Sequence, residues 1–277
     1  MPDLTAILGP DTVPSIARLC RESLDDPPSE TDLGASLFTP AFPVTVRGDP
    51  SRGVVASCVR HEQAYLRLLV VHPRSRREGL GDRLLDAAED DLAPAPSITV
   101  GADAPDYLFP GVETTEVGLH CLLERRRYTR GEANCNMLVD LRDLPEVPPD
   151  DTVTVARVED RDEVAHWVSA NWPNWEVEAL RCLERGRLMV ARDRSGIVAF
   201  CCWDGARTGW VGPVAVRPAT IGQGRGRAVL LAALHELRDS GKTRADIGWV
   251  GPIRPYAQTV SAVVHRVFYV YRRQTSQ

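Results

Sequence analysis

Arginines and glycines are concentrated in the stretch VHPRSRREGLGDRLL, residues 71–85, and this combination suits the binding of an anion. An apolar run precedes the stretch and leucines at helical spacing follow it, so the sequence predicts a strand, a turn and a helix. The first N–H groups of such a helix have no acceptor within the helix and lie at the positive end of its dipole. Gly79 and Gly81 allow a bulky group to approach these N–H groups closely. Arg76 and Arg77 add charge that matches a pyrophosphate, so a phosphate-bearing ligand is predicted.

A second copy of this pattern, VRPATIGQGRGRAVL, occupies residues 216–230. Four pairs of identical residues are separated by the same offset of 145 positions: Pro73 and Pro218, Gly79 and Gly224, Gly81 and Gly226, and Leu85 and Leu230. A constant offset indicates an internal repeat. Strands and helices are also predicted in the same order on both sides of a proline-rich, acidic segment, LRDLPEVPPDD at 141–151. We therefore predict two domains, residues 1–145 and 146–277, joined by that segment.

The composition restricts the classes of partner. The net charge of −5 and the pI near 5.7 argue against a broad basic surface that binds nucleic acid, and favour a cationic substrate such as an amine. No apolar run is long enough to span a bilayer and no signal peptide is indicated, so we expect a cytoplasmic chain without a membrane partner. The seven cysteines are scattered without metal-ligand spacing, which predicts reduced core residues and no metal site.

Two other phosphate-binding motifs fit the glycine turns poorly. A P-loop needs a lysine after its last glycine, and Lys242, the only lysine in the chain, is remote from both turns. A dinucleotide-binding loop needs its first glycine directly after a strand, whereas the run GQGRGR begins four residues after Pro218. The residues alone therefore favour a phosphate-bearing cofactor of another class.

The first turn resembles the acetyl-coenzyme A pyrophosphate loop of the GCN5-related N-acetyltransferases, the GNAT superfamily. The resemblance rests on the pattern V-x-P-x-x-R-x-x-G-x-G, present as Val71, Pro73, Arg76, Gly79 and Gly81. The second turn keeps the valine, the proline and both glycines but has Ile221 where the family usually has Arg or Gln. Another register, Gln223-x-x-Gly226-x-Ala228, also satisfies the loose family pattern, although the first preserves the spacing from the proline. The tandem arrangement is similar to mycothiol synthases and to certain glucosaminide acetyltransferases.

The resemblance implies an α/β (α+β) fold of two tandem GNAT-like domains, each a mixed, mostly antiparallel sheet flanked by helices. It also implies acetyl-coenzyme A as the cofactor, with the end of the strand holding the acyl carbonyl and the turn holding the pyrophosphate. In the first half the implied cofactor-binding residues are Val70, Val71, Arg76, Arg77, Gly79, Leu80 and Gly81. In the second half they are Val214, Ala215, Val216, Ile221, Gly222, Gln223, Gly224, Arg225, Gly226 and Arg227.

In this family a tyrosine on the last helix commonly protonates the leaving sulfur, and the two halves differ at that position. The segment 254–262 resembles the family pattern Tyr-x-x-x-Gly-Phe/Ala with Tyr256 as the acid, although Val260 replaces the glycine. The corresponding segment of the first half has Leu123, which carries no proton. The second half is therefore predicted to be the catalytic one.

The general base is not settled by the sequence. Asp204 and Asp246, at predicted strand ends, and Glu176 or His265 are each able to accept an ammonium proton, and an ordered water is the alternative to all four. The aromatic patch NWPNWE at 171–176, with Trp203, Trp210 and Trp249, either lines an acceptor pocket or belongs to the core.

The expected reaction is direct transfer of an acetyl group from acetyl-coenzyme A to the primary amine of a small molecule, such as an amino sugar, an aminoglycoside-like compound or another metabolite. The chain is expected to act as a monomer or homodimer. Two alternatives stay open: a non-catalytic protein that binds or senses acyl-coenzyme A, and an N-acetyltransferase that acts on proteins or peptides. The departures at Ile221 and Val260 keep the first alternative open, and the second requires an open peptide groove.

Overall fold

The computed structural model describes residues 6–60, 62–93, 95–146 and 151–275. The chain divides into two compact units. The first unit contains Met1–Asn134 and Val267–Gln277, and the second unit contains Cys135–Arg266. Each unit has a mixed, mostly antiparallel sheet covered by helices on both faces, so the predicted fold class is confirmed.

The first unit begins with helices and then forms its sheet. Its helices are α1 (Val13–Ser23), α2 (Glu30–Leu33), α3 (Leu80–Leu92) and α4 (Val117–Arg125), and a π-helical turn, Gly34–Phe38, follows α2. Its strands are β1 (Thr45–Asp49), β2 (Gly53–Arg60), β3 (Gln63–Val71), β4 (Ser97–Val100), β5 (Val112–Glu113), the start of β6 (Thr129–Asp140) and most of β12 (Val263–Gln274). Strands β1, β2, β3, β4 and β12 are neighbours in that order, and β5 pairs with β12. Among these pairs, as far as the structure describes their residues, only β3–β4 is parallel.

The second unit repeats this order. Its helices are α5 (Arg161–Asn171), α6 (Glu176–Glu184), α7 (Arg225–Asp239) and α8 (Ile253–Val260). Its strands are the end of β6, β7 (Val153–Val155), β8 (Leu188–Asp193), β9 (Gly196–Trp203), β10 (Trp210–Val216) and β11 (Arg244–Ile247). The order across the sheet is β6, β11, β10, β9, β8 and β7, and again one pair, β10–β11, is parallel.

Strands β6 and β12 each contribute residues to both units, so the compact units divide the chain differently from the predicted boundary between residues 145 and 146. In the first unit, Tyr271 of β12 pairs with Val100 of β4. In the second unit, Val139 of β6 pairs with Ala245 of β11. The hydrophobic pattern indicates where a strand lies but not which sheet it joins, because any strand edge offers the same backbone donors and acceptors.

Alternate residues of a strand point to opposite faces of its sheet. In each unit both sets of positions carry apolar residues, so each sheet has an apolar layer on both faces. In the first unit, α3 and α4 cover one face and α1 with the π-helical turn covers the other. In the second unit, α7 and α8 cover one face and α5 and α6 the other. The glycine turns follow β3 in the first unit and β10 in the second, and they lead into α3 and α7. The two turns therefore occupy equivalent places in the two folds.

Three findings concern the compositional expectations. Among the described residues, no helix is both long and apolar enough to cross a membrane. Within the same residues, no group of three or more His, Cys, Asp or Glu side chains is arranged to hold a metal ion. Five of the seven cysteines are buried, as expected for core residues.

Candidate functional site

Strand β3 separates from β4 partway along its length, and this separation opens the sheet of the first unit. The parallel pairing of β3 with β4 ends at Leu66, whereas its antiparallel pairing with β2 continues to Val71. At the point of separation Arg67 is an extra residue, because Leu66 and Leu68 pair with consecutive residues of β2. Such a bulge bends its strand away from the ladder.

The separation directs backbone donors of β3 into the opening. The N–H of His72 points toward β2, where it donates to the Arg52 carbonyl at 2.8 Å. Successive residues of a strand direct their N–H groups to opposite edges. The N–H groups of Leu69 and Val71 therefore point to the edge that β4 has left, where an acyl carbonyl can accept them.

The second unit has the same opening. The parallel pairing of β10 with β11 ends at Val211, whereas the pairing of β10 with β9 continues to Val216 after a register shift. The N–H of Arg217 donates toward β9, to the Val198 carbonyl at 2.7 Å. By the same alternation, the N–H groups of Val214 and Val216 point to the open edge. Val214 and Val216 are both among the residues that the sequence analysis predicted to bind the cofactor.

A left-handed residue turns the chain away at each opening. Gly101 makes the last bond to β3 at 2.9 Å, and Gly248 makes the last bond to β10 at 3.1 Å. The next residues, Ala102 (φ 57°) and Trp249 (φ 47°), are left-handed, which is uncommon for residues with a Cβ. In the second unit the fully buried Asn136 holds this conformation, because its Oδ1 accepts the Trp249 N–H at 2.9 Å. The sequence analysis missed these residues, since only glycine signals a left-handed position reliably.

A left-handed glycine begins the helix after each turn. Gly79 has φ 74° and precedes α3, and Gly224 has φ 80° and precedes α7. Neither helix has a side-chain cap at its N-terminus, so the N–H groups of its first turn are available to an external acceptor. A Cβ built on either glycine would meet no atom within 4 Å. The space beside both turns is therefore open to an anion.

The seven residues predicted to bind cofactor in the first unit all line one cleft of about 770 Å³. This volume lies in the range of pockets that enclose a small molecule. The rest of the lining comes from Leu24, Leu69, Asp82, Thr115, Glu116, Val117, Gly118, Leu119, Cys121, Leu122 and Arg125. The sequence analysis missed the α4 part of this wall. Its signal is a face of small and apolar residues at helical spacing, Gly118, Leu119 and Leu122.

Arg76 is held by the backbone at the edge of this cleft. Its Nε donates to the Val71 carbonyl at 3.1 Å and its Nη2 donates to the Ser23 carbonyl at 3.0 Å. These bonds tie the turn to the end of α1. The guanidinium therefore contributes its charge from a fixed position, while part of its donor capacity is used within the protein.

The second turn carries less charge at the equivalent place. Ile221, where the family has Arg or Gln, is 71% exposed and presents an apolar side chain to solvent. Arg225 donates from Nη1 to Thr152 Oγ1 at 2.9 Å, and Arg227 is exposed. Backbone N–H groups at the start of α7, rather than a matched arginine, are the main donors of this turn.

The second glycine of each turn has a different tolerance for a side chain. A Cβ on Gly226 would lie 2.7 Å from Cγ2 of Val216, which is closer than real contacts allow. A Cβ on Gly81 would lie 3.3 Å from Cδ2 of Leu122, a flexible neighbour. We expect Gly226→Ala to lower the free energy of unfolding by about 1–3 kcal/mol, as overpacking does. Gly81→Ala should cost less, because Leu122 can adjust. Urea unfolding of the two variants measures this, and equal losses would contradict the close contact at Gly226.

Tyr256 lies on α8, half-buried against the apolar layer beneath α7. The helix ends at Val260, and the next residue, Ser261, is left-handed (φ 53°). In the first unit α4 is followed by the left-handed Arg127. Counted back from these two left-handed residues, Tyr256 corresponds to Leu122, which is next to the predicted position Leu123. Leu122 lines the first cleft, which supports a cleft-facing position for Tyr256.

Burial raises the pKa of the Tyr256 hydroxyl to about 12, with a smaller contribution from Cys201. The phenol is therefore protonated at all physiological pH values. A protonated phenol can donate a hydrogen bond to a developing thiolate.

Two acidic residues predicted as candidate bases lie on either side of Trp210. Asp204 closes the turn between β9 and β10, where its Oδ1 accepts the Gly209 N–H at 2.5 Å. Asp246 pairs with Trp210 across the parallel ladder, and its Oδ1 lies 3.2 Å from His265 Nε2. The structure therefore gives Asp204 a turn-closing contact and joins Asp246 with His265, two residues that the sequence analysis considered separately.

The connection after the opening is long in the first unit and short in the second. Residues 101–111 join β4 to β5, and most of them are buried, including Asp103, Tyr107 and Leu108. In the second unit only residues 248–252 join β11 to α8, and most of these are at least partly exposed. Residues 101–111 are therefore packed into the first unit, whereas residues 248–252 lie mostly at the surface of the second.

Buried ion pairs and apolar contacts fix the long connection against β3 and the π-helical turn. Arg67 Nε donates to Asp103 Oδ2 at 2.8 Å, and Asp106 Oδ2 accepts the Ala41 N–H at 2.9 Å. Leu108 packs with residues of α1 and β3. Removing one partner of a buried pair is costly, so this connection is firmly held. It covers the α1 face of the opening in the first unit.

Comparisons with solved structures agree on the fold. No protein-family model and no curated protein matches the sequence. The chain is similar to a GCN5-related glucosamine N-acetyltransferase region of a fungal multi-domain β-N-acetylglucosaminidase, with a TM-score of 0.77 and 20% identity. That match covers 97% of this chain and 38% of the longer fungal chain.

Two further similar structures match over nearly their whole length. One is a GCN5-related N-acetyltransferase from Sphaerobacter thermophilus, with a TM-score of 0.68, 19% identity, and 98% of this chain and 95% of that chain covered. The other is a tandem GNAT protein from the clavulanic acid biosynthesis pathway, with a TM-score of 0.71, 15% identity and 98% of each chain covered. The chain therefore has the tandem GNAT fold.

Proposed function

We propose that this chain, which has the tandem GNAT fold, transfers an acetyl group from acetyl-coenzyme A to the primary amine of a small molecule, and that its second unit performs the transfer. The observation that carries the proposal is the opening beside β10. There, the N–H groups of Val214 and Val216 face an unpaired edge directly before the uncapped N-terminus of α7. These are the donors that a carbonyl and a pyrophosphate require.

Different groups of the second unit bind different parts of acetyl-coenzyme A. The N–H groups of Val214 and Val216 orient the acyl carbonyl and stabilise negative charge on its oxygen. The first N–H groups of α7 bind the pyrophosphate, with open space at Gly222 and Gly224 for its approach. Bound acetyl-coenzyme A supplies the thioester whose acetyl group is transferred. Asp246 and His265 form the pair that we propose takes the proton from the acceptor amine, directly or through water.

Tyr256 stabilises the leaving sulfur. A thiol has an ordinary pKa of about 8.5, well below the pKa of about 12 that burial gives Tyr256. Complete proton transfer from the phenol to a thiolate is therefore uphill, whereas a hydrogen bond from the phenol to the thiolate is favourable. We accordingly assign Tyr256 the role of hydrogen-bond donor to the sulfur.

Tyr256→Phe is expected to lower kcat by about 10- to 100-fold, because a hydrogen bond to a charged group contributes about 1.5–3 kcal/mol. Coenzyme A release measured with acetyl-coenzyme A and an amine panel tests this. The KM for acetyl-coenzyme A should change little, since the bond forms only as the sulfur leaves. Between pH 7 and 10 the wild-type rate should not fall through loss of the Tyr256 proton, because its pKa is about 12. An unchanged kcat in Tyr256→Phe would remove the assigned role.

We propose an amino sugar as the acceptor. The net charge of −5 favours a cationic substrate over an anionic one. The fungal region that this chain resembles is named a glucosamine N-acetyltransferase, and it gives an amine to test first. Turnover of a peptide with a free N-terminal amine, in preference to glucosamine, would favour a protein or peptide acetyltransferase instead.

A second function is proposed for the first unit: it binds coenzyme A or its acetyl form without transferring the acyl group. The support is the combination of an intact pyrophosphate turn, a leucine at the position of Tyr256, and a buried connection over the α1 face of the opening. Calorimetry with coenzyme A should then count two sites in the wild-type chain and one in Gly79→Trp. A single site in the wild type that Gly79→Trp leaves intact would contradict this role.

A further inference from the structure

The opening of the first unit narrows to an apex, the point at which β3 and β4 separate. The last bond across this point runs from the Gly101 N–H to the Leu66 carbonyl, at 2.9 Å. The glycine turn lies at the wide end of the opening, directly after Val71. A coenzyme whose pyrophosphate is bound at the turn therefore extends along the edge of β3, past the N–H of Leu69. Acyl carbons beyond its carbonyl group point at the apex.

The long connection, residues 101–111, folds over this apex. The N–H of Ala102 donates to the Phe109 carbonyl at 3.0 Å. The two ends of the connection also meet, because a Cβ built on Gly101 would lie only 2.7 Å from Cα of Gly111. The connection therefore forms a compact loop directly beyond the last bond between β3 and β4.

Side chains of the loop fill the space beyond the apex. Leu108 is fully buried and belongs to the same apolar cluster as Leu68 and Val70 of β3, and Phe109 packs against this cluster. The cleft of about 770 Å³ reaches β3 at residues 69–71, yet none of the described residues of the long connection lines it. The cleft of the first unit therefore ends before the apex.

Buried polar contacts fix the loop in this place. Arg67, the extra residue of the bulge in β3, is only 3% exposed and donates from Nε to Asp103 Oδ2 at 2.8 Å. Ser36 Oγ donates to the Asp106 carbonyl at 2.6 Å. An acyl chain has no polar atoms that could replace these partners, and leaving a buried charge or donor unpaired is costly. The loop is therefore a firm end wall, which a longer acyl chain does not displace.

The second unit has no such loop at the equivalent place. Its connection consists of residues 248–252, of which only Val250 is buried. Trp249, the left-handed counterpart of Ala102, is 37% exposed. The end wall is therefore a property of the first unit and not of the shared fold.

We propose that the long connection limits the length of the acyl chain in the first unit, with Leu108 and Phe109 as the residues that determine this specificity. Extra methylene groups forced into a packed region displace side chains and weaken binding. The first unit then binds coenzyme A and its acetyl form and excludes longer acyl chains. This inference rests on the proposed coenzyme-binding role of the first unit, and it names the acyl class that this site accepts.

The test is calorimetry of the full chain carrying Gly224→Trp, in which the turn of the second unit is blocked. The probes are coenzyme A, acetyl-coenzyme A and hexanoyl-coenzyme A. We expect the first two to bind with affinities within about threefold of each other, and hexanoyl-coenzyme A to bind at least about tenfold more weakly. This comparison needs no change in the loop itself.

A substitution in the loop assigns the effect to the long connection. Phe109→Ala, added to the same chain, should reduce the preference for acetyl- over hexanoyl-coenzyme A to about threefold or less, with the affinity for coenzyme A unchanged. The control is Phe38→Ala, because Phe38 is also partly buried against the same apolar cluster but belongs to the π-helical turn. Phe38→Ala should keep the tenfold preference.

The possible results separate this inference from the function on which it rests. Hexanoyl-coenzyme A bound as tightly as acetyl-coenzyme A in the Gly224→Trp chain would overturn the inference and leave the binding role of the first unit standing. A tenfold preference that persists in a folded Phe109→Ala variant, or that Phe38→Ala removes equally, would overturn the assignment to the long connection. No binding of coenzyme A in the Gly224→Trp chain would instead overturn the binding role, and the inference with it.

Discussion

Expressed alone, residues 1–145 are expected not to fold, although they contain the complete first glycine turn and its cleft. The fragment lacks residues 267–274, which pair with β4 and β5 and bring Phe268 and Tyr271 into the first unit, both fully buried. Deleting one buried aromatic side chain costs about 3–5 kcal/mol, and a whole domain is stable by only about 5–15 kcal/mol. The loss of two aromatics and a strand should therefore exceed the stability of the unit.

The matched control restores the strand. Residues 1–134 joined by a short flexible linker to residues 267–277 should give a soluble, cooperatively unfolding protein. A short linker suffices because the two segments lie side by side within the first unit. A Cβ added at Gly131 would lie only 3.0 Å from the Val270 carbonyl oxygen. Circular dichroism and urea unfolding compare the two fragments. A cooperatively folded 1–145 fragment, as stable as the linked one, would show that the boundary at residue 145 is the correct one.

The local structure near the glycine turns could be predicted because short-range signals determine it. The sequence pattern predicts a helix from about 225 to 239 and a hairpin of strands at 187–193 and 196–204. The structure has α7 at Arg225–Asp239 and the hairpin as β8 and β9. Apolar periodicity and glycine at the helix start suffice for these elements. The pairing partners of β6 and β12 could not be predicted, since they depend on contacts between residues far apart in sequence.

The sequence predicted the glycine turns of the candidate site, but it predicted fewer of the residues that form the walls around them. Glycine patterns identified Gly79 and Gly224, and both adopt the left-handed conformation that glycine accommodates without strain. No glycine marks the left-handed residue after α8, because Ser261, a residue with a Cβ, adopts that conformation. The buried connection over residues 101–111 was also unforeseen. The sequence shows that this segment contains aromatic residues, but only burial reveals that they close one face of the first unit.

Gly224→Trp is expected to lower kcat/KM for acetyl-coenzyme A by at least about a hundredfold, whereas Gly79→Trp should leave it within about twofold. A tryptophan at Gly224 would project into the open space beside the first turn of α7 and block the approach of a pyrophosphate. Loss of two or more charge-assisted hydrogen bonds, each contributing about 1.5–3 kcal/mol, gives this magnitude. The two glycines are equivalent in the two units, so one variant serves as the control for the other.

The two substitutions, Gly79→Trp and Gly224→Trp, should lower the stability of the fold by similar amounts. Gly79 and Gly224 have φ values of 74° and 80°, both begin a helix, and a Cβ added at either position would lie in open space. A side chain in this conformation costs about 1–2 kcal/mol in either variant, so their melting temperatures should fall together. A difference in turnover then reports the role of each turn. Loss of turnover in Gly79→Trp with Gly224→Trp unaffected would assign catalysis to the first unit.

The central claim is that the chain moves an acetyl group from acetyl-coenzyme A to the nitrogen of an amino sugar in its second unit. The most direct measurement incubates the full chain with glucosamine and acetyl-coenzyme A carrying an isotopically labelled acetyl group, and detects the product by mass spectrometry and NMR. We predict a labelled N-acetyl sugar formed by the wild type and by Gly79→Trp, and none formed by Gly224→Trp. Bound coenzyme without any acetylated glucosamine, or equal product from all three proteins, would contradict the claim.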